Sequence, residues 1–197
     1  MTTSHTNTQT TASAAARSDR PTLVQTMSAF AAVLLSGLFA GFLTTVLVFE
    51  ASLRGFGAAV YTQARLIELE HLDDLATALL VPAILASAAL TLTTIRRPGS
   101  GRWLTLTAVL LLLATLTISA LVSVPINTDQ QDWSVLTPPS DWADVRDRWQ
   151  LAHVARTTTA ALAFVLVTAV LVSARRSRNA AELSAAIGKN PSERTMP

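Results

Sequence analysis

The sequence predicts an all-α fold: a polytopic membrane protein built as a four-transmembrane-helix bundle, with helical extensions on the outer side. Three observations predict it. Four long apolar runs are separated by polar stretches, only 14% of the residues are charged, and the charges divide unevenly between the two sides that those runs define. Cysteine is absent, so no disulfide framework and no thiolate chemistry is available.

Residues 1–25 are rich in Thr, Ser and Ala. They hold too little large apolar surface to offset the entropy of ordering, which predicts a disordered cytoplasmic tail. The apolar run that follows is longer than a signal-peptide core, so no cleavage is expected. The spans fall at about 26–49, 75–95, 103–126 and 154–174 within one transmembrane domain, 26–175. Each is close to the ~20 residues that cross ~30 Å of hydrocarbon. Lipid offers no partner for backbone N–H and C=O groups, so each run must be helical. Pro82 is expected to kink the second span. Gly37 and Gly41, spaced as Gly-x-x-x-Gly in the first, suggest close helix packing. Residues 176–197 form a C-terminal cytoplasmic tail.

Orientation follows from the basic residues. Ten of the fifteen lie in the N-terminal tail, the 96–102 loop and the C-terminal segment. Ten of the thirteen acids lie on the opposite side. The positive-inside rule then places both termini in the cytoplasm of a multi-pass plasma (cytoplasmic) membrane protein. The basic residues form no aromatic-interleaved patch, so nucleic acid is not an expected partner. The expected partner is the lipid bilayer itself, and oligomeric state is not legible.

The outer segments carry their own pattern. "YTQARLIELEHLDDL" predicts a second helix that begins near Val60 and projects above the membrane. Pro138 and Pro139 block a helix before Asp141, which could cap a new one, with Asp144 three residues on in a capping-box-like spacing. One helix then runs from Asp141 into the fourth span. At 100° per residue, Trp142, Arg146, Trp149, His153 and Arg156 share an arc of roughly 80° over about 21 Å. Interfacial tryptophans and snorkelling arginines account for part of this stripe. A Trp/Arg/His face could also stack on and hydrogen-bond a flat, partly anionic molecule. A small ligand would reach only Trp149, His153 and Arg156.

Glu50 closes the first span, Glu68, Glu70, His71, Asp73 and Asp74 precede the second, and Asn127 follows the third. Each has an ordinary reading: a Glu50–Arg54 pair, a solvated acidic face, a helix C-terminal Asn127. Their convergence at one outer mouth favours a site. A metal set of His71, His153 and Glu50 or Glu68 lacks any HxxxH spacing, and no metal is expected. No ionisable residue lies near the middle of a span, which argues against a proton-coupled transporter. An apolar-spanned accessory or partner-binding subunit stays open, to be separated from an enzyme by whether the mouth encloses a pocket.

"PIN" at 125–127, "PPSDW" at 138–142 and "RDRWQLAHVAR" at 146–156 resemble the anthrone-oxygenase-like family of four-helix integral membrane proteins. That family is largely catalogued as a domain of unknown function and includes the anthrone oxygenases. "GLFAGF" at 37–42, with Glu50 after it, is similar to the family's first helix. The resemblance implies a cofactor-independent oxidoreductase, a monooxygenase acting on a lipophilic aromatic small molecule. It further implies His153 as base, Trp149 flanking the substrate, and Asn127 and Arg156 polarising oxygen atoms. Trp142, Arg146 and Glu50 are candidates for substrate binding. Arg156 and partial burial both disfavour an imidazolium, so His153 is expected to be neutral at pH 7.

Topology is directly checkable. Reporter fusions after residue 100 and at the C-terminus should read as cytoplasmic, and those within 55–70 and 130–145 as outside. A cytoplasmic signal at residue 135 would overturn the orientation.

Overall fold

In the computed structural model, residues 22–95 and 99–188 are described. Most of the N-terminal tail, the Arg96–Arg97 pair, Lys189 and Arg194 lie outside them. Helix α1 spans Leu23–Ser52, with Thr22 accepting the Gln25 N–H at its N-cap. A 3-10 turn, Leu53–Gly55, leads to α2, Ala58–Thr94. Helix α3 is Gly101–Ile118, α4 is Val124–Gln131 and α5 is Trp142–Gly188. A π-helical turn, Ser119–Ser123, joins α3 to α4 so that the backbone stays helical throughout. Among the described residues there are no strands.

Four helical stretches are long and apolar enough to cross a membrane: Leu23–Gly55, Ala58–Thr94, Gly101–Gln131 and Trp142–Ile187. Helix α5 has 47 residues, about 70 Å at 1.5 Å per residue, more than twice the hydrocarbon thickness. It therefore projects beyond the apolar core at both ends. The expected start near Asp141 holds within one residue. The expected side-chain cap does not form: the Asp141 backbone carbonyl accepts from Asp144 and Val145, and its carboxylate bonds to no helix amide. The C-terminal segment expected as a tail is helical and exposed as far as it is described. Helix α2 runs through Pro82 without a break, although the proline ring removes one N–H from the ladder.

The helices pack as a ring in which α1 lies against α2 and α5, and α3 lies against the same two; α2 and α5 are diagonal and barely touch. The core is aliphatic and rich in small residues, with Ala32, Phe39, Leu43, Ala83, Ala108, Leu112, Ala160 and Ala163 buried. Many threonines in the spans satisfy their hydroxyls on carbonyls three or four residues back, as Thr44 does on Ala40 and Thr157 on His153. Two such pairs also cross between helices: Thr94 with Thr105 at 3.1 Å and Thr115 with Thr159 at 2.7 Å.

The π turn has a local cause and a long-range effect. Pro125 lacks an N–H, and its ring crowds the carbonyl four residues back. Just before it, Val124 N–H reaches to the Ser119 carbonyl, five residues away. On an unbroken α-helix Asn127 would stand about 120° from Thr115. The wider turn absorbs that drift, so Thr115, Ser123, Asn127 and Gln130 are all buried.

The Gly37–Gly41 pair divides in use. A Cβ on Gly37 would lie 2.9 Å from Phe164 Cε2 of α5, whereas one on Gly41 would meet nothing within 4 Å. Gly37→Ala should therefore force the Phe164 ring aside and cost about 1–3 kcal/mol. Gly41→Ala should leave the protein at least as stable as the parent. Thermal melting of both variants in detergent checks this; equal behaviour would remove the close α1–α5 approach.

Candidate functional site

Beyond the apolar core, at the end where α1 meets α2, all four helical stretches bring polar side chains inward. The arrangement centres on Arg65 of α2, which is only 2% exposed. Every nitrogen of its guanidinium is engaged. Nε and Nη2 donate to Gln130 Oε1 at 3.1 and 3.0 Å, and Nη2 also donates to Asn127 Oδ1 at 3.0 Å. Nη1 pairs with Glu50 Oε1 at 3.2 Å and with Glu68. The plane lies over the Trp149 ring, with Cζ 4.1 Å from its centroid. A planar, delocalised cation suits this combination of carboxylates, amides and an indole face.

Asn127 relays between the helices. Its Oδ1 accepts from Arg65 and, at 2.7 Å, from Trp149 Nε1; its Nδ2 donates to both carboxylate oxygens of Asp73 at 2.9 and 2.7 Å. Glu50 is fully buried at the end of the first apolar span. Its Oε2 and its backbone carbonyl each accept from Gln150 Nε2 at 3.0 Å. The sequence allowed a Glu50–Arg54 pair, but Arg54 instead reaches Gln150 and Asp147 on α5. Apart from the Arg65–Glu68 pair within α2, these bonds join different helical elements, so the network fixes their relative positions.

One turn deeper, Trp149 and His153 stack nearly parallel, with ring centroids 4.8 Å apart. His153 Nε2 lies 2.9 Å from the Leu43 carbonyl of α1. A carbonyl can only accept, so Nε2 carries a proton and donates it, while Nδ1 has no protein partner. Arg156 donates from Nη1 to Ser123 Oγ at 3.1 Å. Three buried polar atoms here have no protein partner: His153 Nδ1, Arg156 Nε and Glu68 Oε1. All three residues line one chamber of about 20 Å³, together with Trp149, Arg65, Asp73 and the apolar wall of Phe42, Leu43, Leu69 and Leu72. That space suits a water-sized molecule with several polar partners. A second, larger cavity of about 150 Å³ lies on the other side of Asp73 and Arg156, bounded by α2 and the π turn.

Five of the seven expected site residues are thus brought together: Glu50, Asn127, Trp149, His153 and Arg156. Trp142 and Arg146 are not with them. Trp142 packs against Tyr61, 5.6 Å between centroids, in an outer cluster with Leu53, Trp133 and Val145. Arg146 lies over Trp142 and pairs with Asp147. These residues roof the network rather than line its chamber. His71 is exposed while His153 is buried, so the two-histidine metal set does not assemble. Among the described residues no group of three His, Asp or Glu side chains could hold a metal ion.

The residues that sequence reasoning missed are Arg65, Gln130 and Gln150. For Arg65 part of a signal was present. Tyr61, Arg65, Glu68 and Leu72 recur at four, three and four residues, the spacing of one helix face. That periodicity marks the face but not the distant partners Arg65 takes.

The family model described as anthrone oxygenase matches residues 71–166. Over that stretch the chain resembles the anthrone oxygenases. No curated protein and no solved structure matches it. The anthrone-oxygenase-like stretch includes Asp73, Asn127, Trp149, His153 and Arg156, whereas Glu50, Arg65 and Glu68 precede it.

Arg65 makes the clearest test of the geometry. Arg65→Met would leave Glu50 and Glu68 buried without their cation and should cost about 3–5 kcal/mol. Adding Glu50→Gln and Glu68→Gln should recover part of that loss, because the uncompensated charges are then gone. Melting curves of the single and triple variants measure this; a single variant as stable as the parent would deny Arg65 its central place.

Proposed function

We propose that the chain is a membrane oxidoreductase that oxygenates a lipophilic aromatic small molecule with dioxygen and needs no cofactor. The observation that carries this reading is the chamber itself: a histidine whose Nδ1 has no protein partner stands beside a buried guanidinium with an unused Nε–H. Proton removal from an acidic ring CH₂ leaves an electron-rich anion. His153 suits the base, and Arg156 with Asn127 suits stabilisation of the anionic oxygen. In the overall conversion the CH₂ becomes C=O, one oxygen atom enters the product and the other leaves as water. Trp149, which stacks on His153 and lies under Arg65, suits holding the base in position.

A recess lined by Trp149, His153 and Arg156 favours this reading over an accessory subunit, whose recognition surface would be flat. The positive-inside distribution supports a plasma-membrane orientation with the polar end outside and both termini cytoplasmic.

Oxygen consumption by the purified protein, offered a panel of phenolic and anthrone-like compounds, tests the proposal. Uptake should require the protein and one class of substrate. His153→Gln should abolish it while the protein stays folded, because Gln keeps size and polarity but cannot take the proton. The lost hydrogen bond alone should cost on the order of 1 kcal/mol in stability. Full turnover in that variant would remove His153 from the chemistry and return the site to a structural role.

A further inference from the structure

The two cavities differ in a way that bears on how a substrate arrives. The small chamber, about 20 Å³, cannot hold an aromatic ring. The larger one, about 150 Å³, matches the size at which an apolar cavity takes a single benzene ring. Its walls are graded. Leu80, Val81, Leu116, Ala120 and Val124 form the apolar part, while Asp73, Thr77, Ser123, Asn127 and Arg156 form the polar part. Val81, Leu116 and Val124 are 43%, 40% and 53% exposed. They stand on adjacent helical stretches that the composition assigns to the membrane, so the apolar side of the cavity faces lipid.

The inner limit is polar and shared. Asp73, Ala76 and Arg156 line both cavities. Arg156 is 93% buried, taken as the complement of its 7% exposure, and its Nε–H has no partner in the protein. A guanidinium in that position favours an oxygen bearing negative charge or a strong acceptor. The π turn makes the room: Ser119, Ala120 and Ser123 all lie on the cavity wall. A π turn inside an α-helix often marks a functional site.

We infer that the gap between α2 and the π turn is a binding site entered sideways from the bilayer. It takes a lipophilic small molecule that carries an acidic hydroxyl, phenolic or enolic. The ring occupies the 150 Å³ cavity, the apolar remainder lies among the lipid tails, and the oxygen meets Arg156 at the boundary with the His153 chamber. The site rests on the proposed oxygenase reading for its place in a reaction, but its occupancy does not require turnover.

The test uses the full-length protein in phosphatidylcholine nanodiscs and a long-chain 4-alkylphenol with a photoreactive diazirine on the chain. Its methyl ether serves as the comparison. Labelling should concentrate on 76–81 and 116–124 and be weaker with the ether. It should fall to the level of the remaining lipid-facing surface in Ala120→Trp, or in Val81→Phe if the first variant melts early. Label spread evenly around the bundle, or undiminished in both filled variants, would overturn the site. Oxygen uptake is read in parallel. Label at the site without uptake of oxygen by any compound would keep the site and remove the oxygenase reading. Uptake that survives both filled variants unchanged would remove the site and keep that reading.

Discussion

A guanidinium buried beyond the apolar core has to be matched on every side, and that requirement organises this end of the molecule. Arg65 is enclosed by Glu50 from α1, Glu68 from its own helix, Asn127 and Gln130 from α4, and the Trp149 face from α5. Isolated, such a charge is strongly unfavourable in a low-dielectric interior. Paired and bonded at every nitrogen, it becomes a specification of which helices must meet and in what register. The aliphatic core beneath supplies no comparable selectivity, because lipid tails are as apolar as leucine side chains.

From that constraint the rest follows in sequence. Asn127 can face Arg65 only because the π turn before Pro125 rotates the end of the third stretch inward. With Asn127 placed, Trp149 has an acceptor for its indole N–H, and His153 stacks on the same ring one turn deeper. The Leu43 carbonyl accepts from His153 Nε2. Among the described residues, seven buried polar atoms are left without a partner, and three of them, His153 Nδ1, Arg156 Nε and Glu68 Oε1, belong to residues around one small chamber. Their clustering around one cavity distinguishes them from the isolated unpaired oxygens of Thr62, Ser87 and Thr168.

The helical bundle was legible because its signals are strong. Apolar runs of span length have few alternatives, and the long α5 needed only the Pro138-Pro139 block and an uninterrupted sequence after it. The α5 stripe was legible in part. Its deeper members, Trp149, His153 and Arg156, converge as the angles predict. Trp142 and Arg146 lie on the same face but too far along the axis, and they meet the aromatic roof instead. Arg65 escaped notice because, read as loop charge, it merely counted toward topology. Its role depends on partners 62 and 65 residues away, and no local spacing reveals such pairs. The π turn was equally hidden, since the sequence shows Pro125 but not how the backbone before it adjusts.

Under the proposed function, this buried polar end performs oxygen chemistry rather than only holding the helices together. The most direct measurement is to supply isotopically labelled dioxygen to the protein in nanodiscs with an anthrone-like substrate and to weigh the product. The new carbonyl oxygen should carry the label, and the label should disappear with His153→Gln. A product whose new oxygen comes from water, or the same labelled yield without the protein, would contradict the proposed function.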